Sequence, residues 1–108
     1  MRLRGRLRDT GGATIVELDG DADLASAPSL VPLLHRAVAR AEQRVIVDLD
    51  GLAVLDDTAL GLLVGAAATA RRREVAFELL STNARVRARL AETRVDQILT
   101  VVDAVAIG

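Results

Sequence analysis

Val54-Leu55-Asp56-Asp57-Thr58-Ala59-Leu60-Gly61 is the stretch that decides how this chain folds. Upstream of it the residues are apolar and β-branched, with Val45-Ile46-Val47 and then Val54-Leu55. Downstream, Leu60, Leu63, Val64 and Ala67 recur at helical spacing. The junction is therefore a buried strand whose following loop runs into a helix over residues 57–73. Two carboxylates and a hydroxyl meet at that helix N-terminus. Unpaired N–H groups and the positive end of the dipole favour negative charge there, and Asp57 is expected to cap the helix.

The rest of the chain can be placed around this junction. Residues 44–50 form a nearly continuous apolar run, as expected of a central strand covered on both faces. Before it, Leu30, Leu33, Leu34, Ala37, Val38 and Ala41 make one apolar helical stripe. Ser26 or Ser29 is available to cap that helix, and Pro28 and Pro32 are expected near its first turn. Residues 2–9 alternate Arg with Leu or Gly, the pattern of an edge strand with one charged face, and residues 13–18 return as its hairpin partner. Asp19 to Asp23 is expected to be a polar loop. After the second helix come a strand at 75–80, a third helix capped by Asn83 with Arg85, Arg87 and Arg89 pointing mostly outward, and a short strand at 98–102. The order β-β-α-β-α-β-α-β predicts a single α/β domain over residues 1–108. Its four- to five-stranded mixed sheet has parallel pairs joined by right-handed crossovers, with helices packed against it.

Composition narrows the function. With 108 residues and 51% hydrophobic content the chain can bury a core, and Phe77 is its one aromatic residue. A net charge of −1 and the lack of aromatic stacking platforms argue against nucleic-acid binding. The absence of cysteine excludes disulfides and thiolate chemistry and is compatible with a cytoplasmic location. All 14 basic residues are Arg, which excludes Schiff-base and Walker-type lysines. No apolar run is long enough to span a bilayer, and the N-terminus lacks a signal-peptide core.

Three patterns imitate chemistry. Asp19, Asp21 and Asp23 match the first ligands of a calcium loop, but Leu24 and Leu30 stand where glycine and the bidentate glutamate are needed. Asp48-Leu49-Asp50-Gly51 resembles the start of an aspartate-nucleophile phosphatase, yet no lysine clamp is available. His35 is the sole histidine and falls away from the apolar stripe of its helix, with nothing to make it part of a triad. The chain is expected to be no enzyme, and to hold no metal or cofactor.

At this point the sequence resembles the STAS domain family, and within it the stand-alone bacterial anti-sigma factor antagonists. Leu18 to Pro28 is similar to the family's segment before its first helix, and Val45 to Leu52 to its V-V-L-D-L-S-G-V strand. Val54 to Gly61 is similar to its F-I-D-S-S-G-L-G junction, and residues 83–99 resemble its last helix and turn. The resemblance implies a partner-switching regulator of transcription: it binds a serine kinase-type anti-sigma factor, frees a sigma factor, and is released when the serine after the motif's first Asp is phosphorylated. It further implies a partner-binding surface containing Asp21, Asp23, Asp56, Asp57 and Thr58.

This chain departs from the pattern at the switch itself. Asp57 occupies the serine position, Ala59 a glycine position, and Arg94 the glycine of the last turn. Three explanations stand for Asp57: Thr58 takes over as acceptor, Asp57 fixes a phosphate-like charge, or the switch is gone and binding is constitutive. The missing serine also fits a STAS subunit of a lipid or anion transport complex. On the second helix Leu62 centres an uncharged outer face with Thr58, Gly65, Ala66 and Thr69, a flat patch that a protein partner could cover. A weak homodimer is compatible with these features, whereas insertion into a membrane is not expected.

Overall fold

The computed structural model describes residues 2–105. Five strands form one sheet in the order of the chain: β1 (Arg4–Thr10), β2 (Ala13–Ala22), β3 (Arg44–Leu55), β4 (Ala76–Leu80) and β5 (Thr100–Val102). β1 and β2 pair antiparallel as a hairpin, and the remaining three pairs are parallel. The helices α1 (Ala27–Arg40), α2 (Asp57–Arg72) and α3 (Ala84–Glu92) supply the crossovers, and a 3₁₀ turn at Val95–Gln97 precedes β5. Each crossover leads to the next strand along. Crossovers of one hand that advance in one direction leave all the helices on one face.

That arrangement sets the core. Val16, Leu18, Val45, Val47, Leu49, Phe77 and Leu79 face the helices, and the expected α1 stripe of Leu30, Leu33, Leu34, Ala37 and Val38 is buried against them. From α2 come Ala59, Leu60, Leu63 and Ala70, and from α3 Val86 and Leu90. Val64 and Ala67 are only partly covered. On the opposite face Ile15 and Ile46 are also fully buried, packed with Ala13, Leu80 and Val105. β3 is thus covered on both sides, as its continuous apolar run predicts.

Several boundaries differ from expectation, each for a local reason. Asp19 to Ala22 continue β2 where a polar loop is expected. Two register shifts, between Glu17 and Asp19 and between Gly20 and Asp21, let the polar residues pass while Ala22 still pairs with Leu55. β3 likewise runs on through Gly51 to Leu55. A Cβ at Gly51 would stand 2.1 Å from Asp19 Oδ1, so glycine is what lets the two strands stay together there. Gly20, at φ +95°, presses against the backbone of Arg2 in the same way. Pro32 lies inside α1, beyond the first turn. The carbonyl it leaves unpaired belongs to Pro28, and both prolines are exposed, so water can satisfy that oxygen. β4 and β5 begin at Ala76 and Thr100, slightly later than expected.

Candidate functional site

β2 and β3 are parallel neighbours, so the chain leaves both at the same end of the sheet. The loop entering α1 and the loop entering α2 therefore lie side by side, at the carboxyl ends of the strands where α/β folds build their sites. Asp56 makes three bonds here, two of which tie the loops together. Its N–H donates to the Ala22 carbonyl at 3.1 Å, its Oδ2 accepts the Leu24 N–H at 3.1 Å, and its Oδ1 accepts the Ala59 N–H at 2.9 Å. The last of these is the N-cap of α2.

The cap is therefore Asp56, and the expectation that Asp57 would cap the helix is corrected. α2 starts one residue earlier relative to the carboxylates than the Asp57 cap requires. Asp57 is its first helical residue, with a side chain 88% exposed. Arg89 of α3 reaches it, with Nη2 2.8 Å from Asp57 Oδ1, while Arg89 Nε donates to the Leu55 carbonyl. Arg85 Nη2 lies 3.5 Å from the Leu52 carbonyl, and Arg87 Nε donates to the Ser81 carbonyl at 2.7 Å. Arg85 and Arg87 are exposed, as expected of outward-pointing residues, and Arg89 is half-buried; all three also bond back to the strand ends and loops beside α3.

Across the corner, Asp23 and Ser26 form a reciprocal pair. Asp23 Oδ1 accepts the Ser26 N–H at 3.0 Å, and Ser26 Oγ accepts the Asp23 N–H at 2.9 Å. Ser26 precedes α1, but its hydroxyl is spent on this turn and does not cap the helix. Asp21 is half-buried at the end of β2, opposite Val54. Thr58 is half-buried in the first turn of α2. The fold thus brings Asp21, Asp23, Asp56, Asp57 and Thr58 to one corner. Leu62 is separate from it: it is half-buried in a cleft between α1 and α2 with Leu34, Val38, Gly65, Ala66 and Thr69. The expected flat outer patch is really the wall of that cleft, because α1 packs beside α2. Exposed His35 also borders it.

Two apolar residues stand exposed at the corner: Leu24, which the sequence did not mark as part of a surface, and Val54, which the sequence reading expects to be buried in its strand. Leu24 is 71% exposed at the tip of the turn bonded to Asp56, and Val54 is 42% exposed at the end of β3. The signal for Leu24 was a lone leucine directly after a run of aspartates.

The Asp48 and Asp50 carboxylates are held by local bonds. Asp50 accepts the Thr82 N–H at 2.8 Å and the Thr82 hydroxyl at 2.7 Å, pinning the loop before α3. Burial alone would raise the Asp50 pKa, but these bonds and one from the Asn83 N–H outweigh it and hold the carboxyl below its ordinary value. Asp48 Oδ1 accepts the Asp50 N–H at 3.0 Å. Burial, with the charges of Asp50, Glu17 and Asp19 adding to it, pushes the Asp48 pKa up. Among the described residues no three His, Asp or Glu side chains converge to hold a metal ion.

The STAS domain family matches residues 6–106, nearly the whole chain. This chain is a STAS domain. Solved structures of other proteins share its fold. An anti-sigma factor antagonist from Mycobacterium paratuberculosis superposes with a TM-score of 0.81 at 20% identity, covering 95% of this chain and 87% of its own. SpoIIAA in its unphosphorylated form gives 0.71 at 19% identity, covering 94% and 90%. The phosphorylated form of the Bacillus cell fate determinant SpoIIAA gives 0.67 at 16%, covering 92% and 91%. Among curated proteins, none matches the sequence. In this STAS domain the five-stranded mixed sheet and three helices agree with the architecture expected from the sequence. No described helix is long and apolar enough to cross a membrane.

Proposed function

We propose that this STAS domain is an anti-sigma factor antagonist, a protein-binding regulator without catalytic activity of its own. In the cytoplasm it takes up a serine kinase-type anti-sigma factor and so frees a sigma factor for transcription. The observation that carries this reading is the corner at the start of α2. There an exposed carboxylate, Asp57, occupies the family's switch position, at the corner that also exposes two aliphatic side chains, Leu24 on the turn bonded to Asp56 and Val54 at the end of β3. A charged point rimmed by apolar surface is the composition of a docking site, with hydrophobic contact for affinity and charge for orientation. Asp21, Asp23, Asp56 and Thr58 complete the contact surface, and Leu62 contributes from the neighbouring cleft. The likeness to antagonist structures supports the reading, and so does the existence of SpoIIAA in phosphorylated and unphosphorylated forms. Nothing observed favours a transport-complex subunit.

The test is titration of the chain with a serine kinase-type anti-sigma factor, with and without ATP, followed by intact-mass measurement. A stable complex is expected. One added phosphate, lost in Thr58→Val, assigns the switch to Thr58; an unchanged mass with retained binding assigns a constitutive antagonist. Failure to bind such kinases overturns the proposal.

A further inference from the structure

Position 57 carries a carboxylate of the chain's own, and the fold answers it from within. Arg89 makes two contacts at once, one to the Asp57 carboxylate at 2.8 Å and one to the Leu55 carbonyl. It comes from α3, 32 residues further along the chain, and its side chain is only 36% exposed against 88% for Asp57. A guanidinium is well suited to this bridge, because its rigid fork can serve a carbonyl and a carboxylate in one plane. Arg89 also lines a groove between α3 and the end of β3, together with Leu52, Leu55 and Val86. Arg85 bonds to the Leu52 carbonyl one helical turn earlier, so two arginines on one face of α3 follow the same strand end.

We propose that Arg89 is a positioning residue that latches α3 to the docking corner and fixes the electrostatic state of position 57. A carboxylate supplied by the chain itself and met by its own arginine gives the surface a built-in ion pair. That replaces a charge that arrives and leaves with a phosphate. The latch orients Asp57 and steadies the first turn of α2 without itself having to touch a partner. This inference rests on the corner being a docking site, but its test needs no partner.

The experiment is amide and guanidinium hydrogen exchange by NMR on the whole chain. It compares the native sequence with Arg89→Gln, Asp57→Asn and the double variant, at about 0.01 M and about 1 M salt, where screening lengths are roughly 30 Å and 3 Å. The expected result has three parts. The Arg89 Nη2 protons, which face the Asp57 carboxylate, are protected in the native chain and exposed in Asp57→Asn. The Ala59 and Leu60 amides exchange about two- to fivefold faster in either single variant at low salt, as loss of an exposed ion pair implies. The double variant is no faster than the singles, and high salt removes the difference. Strictly additive effects, or an Arg89→Gln variant whose exchange and salt dependence equal those of the native chain, would overturn the latch. A protected, salt-sensitive latch in a chain that binds no kinase-type anti-sigma factor would instead overturn the functional reading alone.

Discussion

Asp56 and Asp57 are chemically identical and adjacent, yet they do different work. Asp56 is half-buried and accepts two backbone N–H groups, one from the turn at Leu24 and one from the first turn of α2, whereas Asp57 stands in solvent opposite Arg89. Asp56→Ala should therefore cost about 1–2 kcal/mol, the upper range for a lost cap, because the Leu24 bond goes with it. Asp57→Ala should cost under about 0.5 kcal/mol, as expected of an exposed pair. Urea denaturation of both variants measures this; equal losses would show that the cap is misassigned. The sequence could not separate the two, since a helix start that slides by one residue leaves the same pattern of apolar positions. Asp48 and Asp50 give a second pair of opposites. A carboxyl whose pKa is raised by folding stabilises the fold below its ordinary value, and that support is lost as pH rises through the raised value. Asp48→Asn, which can keep the bond from the Asp50 N–H, should thus raise the melting temperature at neutral pH and leave it unchanged in acid, below the ordinary aspartate pKa. Asp50 is lowered, so its support is present above the ordinary value and fades as pH falls through the lowered one. Asp50→Asn should therefore lower the melting temperature at neutral pH and converge with the native chain in acid. Thermal melts across that pH range check both signs.

At the scale of elements, the helices and the hairpin could be read from the sequence because each buries one face, and that face sets the period. The α1 stripe and the alternating arginines of β1 lie where periodicity puts them. The late parts of β2 and β3 could not be read. Their pairing depends on Gly51 and on register shifts that only the neighbouring strand explains. The cleft beside Leu62 was also hidden, because the packing of α1 against α2 is a tertiary fact. It makes Leu62→Arg a stability variant as well as a binding variant, with an expected loss of about 1–2 kcal/mol from the lost apolar contact. Gly61 and Gly65 have the opposite consequence. A Cβ at either would meet nothing within 4 Å, so neither glycine is required by packing. Gly65→Ala should stabilise the chain by about 0.5–1 kcal/mol through helix propensity alone. A lower urea midpoint in that variant would mean that the cleft beside it closes more tightly than this geometry allows.

For the molecule as a whole, topology accounts for the site. Sequential parallel strands with all helices on one face bring the ends of β2 and β3 together, and everything placed at the corner follows from that adjacency. The sequence carried the corner's acidic residues and the family's junction pattern, but not the exposure of Val54 at the end of β3, nor Leu24 and Arg89, which reach the corner through a turn and a distant helix. The most direct test of the account is amide-shift mapping on the labelled chain titrated with a kinase-type anti-sigma factor. The account predicts that the largest shifts fall on residues 22–26 and 54–62, and that the helix-free sheet face around Ile15 and Ile46 stays unchanged. Shifts centred on that face or on the arginine edge of β1, with the corner silent, would contradict it.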